Sequence, residues 1–110
     1  MAPDPVADGL RRIEDELRAI TSEEASPYDA ARRAWEIAFG LAPESPDLMW
    51  PLWLIWGTLI DWVEVRPDEV TKAEAAILRA ASEWLALPQE VEARGAYFER
   101  WLRELKVSNT

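Results

Sequence analysis

Apolar residues recur at helical spacing along nearly the whole chain, and no stretch alternates as a strand would. Val6, Leu10, Ile13, Leu17 and Ile20 follow at alternating steps of four and three. That spacing puts them on one helix face, with Asp8, Arg11, Arg12, Asp15 and Glu16 opposite. Asp4-Pro5 predicts the start, aspartate capping and proline pre-setting the first turn. Gly9 weakens this helix by about 1 kcal/mol relative to alanine. Two heptads are too few for a coiled coil, so packing into the domain is the expected use, with a homodimer seam as the alternative. Residues 21–26 are a polar break. Ser26-Pro27 then starts a second helix whose expected inner face is Tyr28, Ala31, Trp35, Ala38 and Phe39. Gly40 is placed to end it in a left-handed conformation, with Pro43 just beyond.

The third element is the most apolar. Residues 48–60 carry no charge, and 48–65 hold Trp50, Trp53, Trp56 and Trp62. A helix apolar nearly all round is buried centrally or lies in a membrane. Thirteen uncharged residues fall short of the roughly 20 a span needs, and Pro51 and Asp61 interrupt the run. A central core helix is therefore expected. Proline inside a helix costs about 3 kcal/mol, so this helix is predicted over 51–65, after a short helical turn at 45–49. Trp56 shares a face with Leu52, Leu59 and Val63, opposite Asp61.

Arg66-Pro67-Asp68 marks the next corner. Thr71 and Glu74 have the spacing of a capping box, although Pro67 offers an earlier start. The stripe Val70, Ala73, Ile77, Ala81, Trp84 and Leu85 follows. Pro88 separates it from a last helix with inner face Val91, Phe98, Trp101, Leu102 and Leu105 and with Gly95 midway. Prolines 27, 46, 67 and 88 are spaced 19, 21 and 21 apart, but the tryptophans keep no fixed offset from them, so they punctuate helices and do not mark a repeat. The expected fold is all-α: a compact antiparallel bundle of about five helices around the central Trp-rich one, forming a single domain over 1–110 with 1–5 and 107–110 disordered.

Composition narrows the chemistry. There is no cysteine and no histidine, which removes disulfides, thiolate sites, the commonest general base and the commonest metal ligand. No Gly-rich loop, nucleophile motif or zinc spacing occurs. No cofactor is expected. Asp61 and Glu64 stand at i and i+3 on one face, a spacing that can ligand Mg²⁺ as in all-α nucleotide hydrolases. Such enzymes need a second acidic pair, and Glu36, Glu74 and Glu83 supply no matching one. The 21 acidic and 12 basic residues leave a net charge of −9, which disfavours nucleic acid and anionic membrane as partners; its first expected use is to keep the chain soluble, with a basic protein partner as the alternative. The amino terminus lacks the pattern of a secretory signal, so a cytoplasmic location is expected.

Asp61 and Glu64 mark the water side of the central helix. Stepping back by three and four gives Gly57, then Trp53 and Leu54, with Trp50 at the corner. If no helix covers it, this stripe is an exposed apolar patch of the kind that binds partners. If the first or last helix covers it, Gly57 allows the close approach. The expectation is a non-enzymatic acidic interaction module: a regulator, an adaptor or an immunity-type binding protein. The alternatives are a bundle that binds an apolar small molecule and a Mg²⁺-dependent nucleotide hydrolase.

Overall fold

Three of the five helices begin at a proline, and in two of them the residue before it caps the helix with its side chain. The structure, a computed structural model, describes residues 4–108, with side chains described through Leu105. It is built from α1 (Pro5–Thr21), α2 (Pro27–Leu41), α3 (Pro46–Val65), a 3-10 turn (Pro67–Glu69), α4 (Val70–Ala86) and α5 (Val91–Ser108), with no strand among the described residues. Connections at 22–26, 42–45 and 87–90 are short, so successive helices fold back on one another as an antiparallel bundle. α3 packs against α2, α4 and α5, and α1 against α2 and α4. No helix among the described residues is long and apolar enough to cross a membrane. Residues 1–3 and 109–110, where disorder was expected, lie outside the described residues. Pro5 and residues 107–108 are helical.

α1 starts as its sequence dictates: the Asp4 carboxylate accepts from the amides of Val6 (3.0 Å) and Ala7 (3.3 Å). Ile13, Leu17 and Ile20 are buried, while Val6 and Leu10 pack partly against the core. Gly9 has a packing role. An added Cβ would run into Leu41 of α2, so the glycine lets α2 close over α1. The helix ends on Glu23 at φ 62, with the amide of Glu24 bonded to the Ala19 carbonyl and that of Glu23 to Ile20. This is a Schellman end built on a residue other than glycine.

α2 is capped by Ser26, whose hydroxyl accepts from the Asp29 amide at 3.2 Å. Its buried face is alanine: Ala30, Ala31, Ala34 and Ala38. The inner-face expectation therefore fails at Phe39, which is 59% exposed. Ala38 holds the inward position, and its neighbour must point away. Gly40 does not end the helix either. The chain turns through right-handed Ala42, and the Leu41 carbonyl accepts from both Glu44 and Ser45 (3.0 Å each), so no left-handed residue is needed.

α3 is one helix from Pro46, and Pro51 lies inside it, contrary to the predicted start at 51. Pro46 takes the first helical position, where proline is favourable. The amide that Pro51 lacks would have bonded the Asp47 carbonyl, whose residue is solvent-exposed. Extending the helix through Pro51 buries Met49 completely. Pro51→Ala should raise stability by about 1–2 kcal/mol, the roughly 3 kcal/mol cost of an interior proline less lost ring contacts and unfolded-chain entropy. Urea melts give the sign, and a lower midpoint would mean that the ring's packing outweighs the backbone penalty. Further along, Leu52, Ile55, Trp56 and Leu59 are fully buried.

The 3-10 turn runs directly into α4, so the predicted capping box does not form: Thr71 and Glu74 are both already helical. The Glu69 carboxylate instead accepts from the Trp62 indole at 2.8 Å. Ala73, Ala76, Ile77, Ala80, Ala81 and Trp84 form the α4 core face, while Val70 is exposed. On α5 the inner face is Tyr97, Phe98, Trp101 and Leu105. Val91, assigned to that face, is 84% exposed because the first turn of α5 lies beyond the aromatic block. A Cβ added at Gly95 would meet nothing within 4 Å, so no close approach requires glycine there. Two further indoles tie helices together through glutamates: Trp84 to Glu14 of α1 and Trp101 to Glu83 of α4, both at 3.0 Å. The Tyr97 hydroxyl donates to the Ala80 carbonyl at 2.9 Å, and burial pushes its pKa well above the ordinary phenol value.

Candidate partner-binding surface

The exposed side of α3 meets the carboxyl-terminal half of α2. Trp35 and Phe39 stand one turn apart on α2, and Trp50 and Trp53 one turn apart on α3. Their rings form one cluster: Trp35 to Phe39 at 6.0 Å, Phe39 to Trp53 at 5.8 Å and Trp53 to Trp50 at 4.4 Å between centroids. The outer members remain in water, Phe39 at 59% and Trp50 at 49% exposure. The Trp53 ring is partly buried, and its indole nitrogen is enclosed with no hydrogen-bond partner among the described residues.

Gly57 makes this arrangement fit. A Cβ there would stand 2.9 Å from the Trp35 indole nitrogen and 3.1 Å from its Cδ1. The indole of α2 therefore lies directly on the α3 backbone, which only glycine allows without a shift. The close approach anticipated from the sequence is real, but α2 makes it and not the first or last helix.

From this contact a groove of about 300 Å³ runs along α2 and α3. Trp35, Trp53, Leu54, Gly57 and Ile60 line its apolar part, and Arg32, Thr58, Asp61 and Glu64 its polar part. The Thr58 hydroxyl is used internally, donating to the Leu54 carbonyl at 2.7 Å. Asp61 and Glu64 are exposed and form no hydrogen bond or ion pair among the described residues. Arg32 is engaged elsewhere: it donates to the Tyr28 hydroxyl at 3.3 Å and pairs with Glu36 at 3.7 Å. Its pKa is raised above the ordinary arginine value, chiefly through Tyr28 and to a lesser extent by the charges of Glu36 and Glu64.

The residues singled out from the sequence converge. Trp53, Leu54 and Gly57 line the groove with Asp61 and Glu64, and Trp50 packs on Trp53 at its rim. Sequence reasoning missed the α2 half, namely Arg32, Trp35 and Phe39. The signal available was the i, i+4 spacing of two aromatics beside a row of alanines already sufficient for the inner face. As for a metal, no group of three or more acidic ligands comes together among the described residues. The Glu83 carboxylate, a candidate for a second pair, is held by Arg100 and by the Trp101 indole. No protein-family model, curated protein or solved structure matches the chain.

Proposed function

We propose that the chain is a non-enzymatic, acidic protein-interaction module that works in the cytoplasm as a regulator, adaptor or immunity-type partner, and that it binds through the α2–α3 face. The observation that carries this reading is the half-exposed aromatic edge of Phe39 and Trp50, continuous with the groove over Trp53 and Leu54. Contiguous apolar surface is costly to leave in water and usually marks an interaction site. Tryptophan is also prominent among residues that dominate binding energy. The groove's ionisable groups are one arginine and two carboxylates, with no nucleophile–base pair of the kind that hydrolytic or transfer chemistry uses.

Serine at both Phe39 and Trp50 tests the reading cleanly, because these two rings contribute least to the core. The double variant should lose no more than about 1–2 kcal/mol in thermal or urea unfolding, the scale of the ring contacts removed. It should also fail to capture the partner that the parent protein retains from extract of its native host. Undiminished capture by a folded double variant would place the binding site elsewhere.

A further inference from the structure

The α2–α3 groove has two chemically different ends. Trp50, Trp53 and Leu54 form the aromatic end, and Asp61 and Glu64 the acidic one. Trp53 and Glu64 are eleven positions apart on one helix, which is about 16 Å. We infer that this groove takes a basic amphipathic helix of the partner protein, with its apolar residues on the aromatic end and an arginine or lysine against Asp61 and Glu64. The inference deepens the partner-binding reading and rests on it.

Charge complementarity selects this occupant. Several acids on the other helical faces pair within the chain, such as Asp15 with Arg18, Glu16 with Arg33 and Glu99 with Arg103 at 2.7–2.9 Å. Others, such as Glu74, stand alone among the described residues, but Asp61 and Glu64 are two that share a groove with partly exposed tryptophan. Asp61 and Glu64 form no hydrogen bond or ion pair among the described residues: Arg32 lines the same groove and its charge reaches Glu64, but its guanidinium bonds Tyr28 and Glu36. Two carboxylates are thus left beside an apolar floor. A partner that covers the floor also removes water from around them, which strengthens their attraction for a cation. An acidic segment would be repelled both locally and by the net charge of −9.

The shape agrees. Helices read grooves through anchors at i, i+3 or i+4 and i+7. About three turns of partner helix match the distance from Trp53 to Glu64. A groove of about 300 Å³ is at the small end for enclosing a drug-sized molecule, but it suits a few side chains from one helix face.

The experiment pans a random peptide display library against the full chain and measures enriched peptides by fluorescence polarisation. The variants are Asp61→Asn with Glu64→Gln, and Phe39→Ser with Trp50→Ser, each checked by thermal unfolding. Enriched peptides should share a basic residue and two or three apolar residues at helical spacing. The amide pair should weaken them about three- to tenfold in low salt, with the difference fading at about 0.5 M salt. The serine pair should abolish binding. Asp61→Lys with Glu64→Lys should shift enrichment toward acidic peptides. Peptides with no shared basic residue, or with equal affinity for the amide pair, would overturn the charge assignment and leave the aromatic face standing. Enrichment indifferent to the serine pair, or no enrichment at all, would overturn both.

Discussion

Trp56→Ala should destabilise the protein by about 3–5 kcal/mol, the usual cost of emptying a large core site. Trp56 is fully buried on α3, as are Leu52 and Leu59 on the same face, and Val63 packs partly against the core. Removing the indole leaves a void that neighbours on both sides would have to fill, and interiors packed to crystal density relax only partly. The indole nitrogen of Trp56 has no hydrogen-bond partner among the described residues. Burying an unpaired N–H is itself unfavourable, so the residue is held by ring packing alone. Trp56→Phe, which removes that N–H and keeps most of the ring, should therefore cost only about 1–2 kcal/mol. Urea melts followed by circular dichroism measure both variants. An alanine loss below about 1 kcal/mol, or a phenylalanine loss as large as the alanine one, would show that the core face of α3 lies elsewhere.

Helices whose ends are set by local chemistry were legible in the sequence. Asp4 and Ser26 cap as their residue types require, and the apolar spacing of α1 and α3 turns the right faces inward. The misses share one cause. Pro51, Gly40 and the Thr71–Glu74 pair are local preferences of at most a few kcal/mol. Each is overridden by something not local: burial of Met49, the double use of the Leu41 carbonyl, or the 3-10 turn feeding α4. The candidate surface divides in the same way. Its α3 half follows from one helix, because Asp61 and Glu64 fix the water side and the period does the rest. The α2 half is less legible: α2 carries four alanines beside two aromatics at i and i+4, but which of them turns inward depends on the helix that packs against it. Only the approach of α3 at Gly57 gives Trp35 and Phe39 their places.

The fifth helix packs on α3 and is tied to α4 by one aromatic block, so Trp84→Ala should have the second large effect, again about 3–5 kcal/mol. Trp84 is 1% exposed. Its ring meets Tyr97 edge-on at 5.2 Å and stacks on Phe98 at 5.7 Å, both on α5. The Arg94 guanidinium lies 5.7 Å from the Trp84 ring centroid, and the Trp84 indole N–H donates to Glu14 on α1. One side chain thus joins α1, α4 and α5, and α5 meets α4 chiefly through long side chains: this block, Tyr97 on the Ala80 carbonyl, and the ion pairs of Glu83 and Arg79 with Arg100 and Glu104. The loss should therefore be uneven. Hydrogen exchange in Trp84→Ala should show α5 amides losing protection first, with α2 and α3 amides following only the global change. Trp84→Phe keeps the stacking and loses the Glu14 bond, so it should cost less and leave α5 protected. Because the α2–α3 face shares no residue with this block, the alanine variant should still engage a partner at temperatures where it is folded. Uniform loss of protection across all five helices would mean that α5 is no separate unit and that the bundle opens only as a whole.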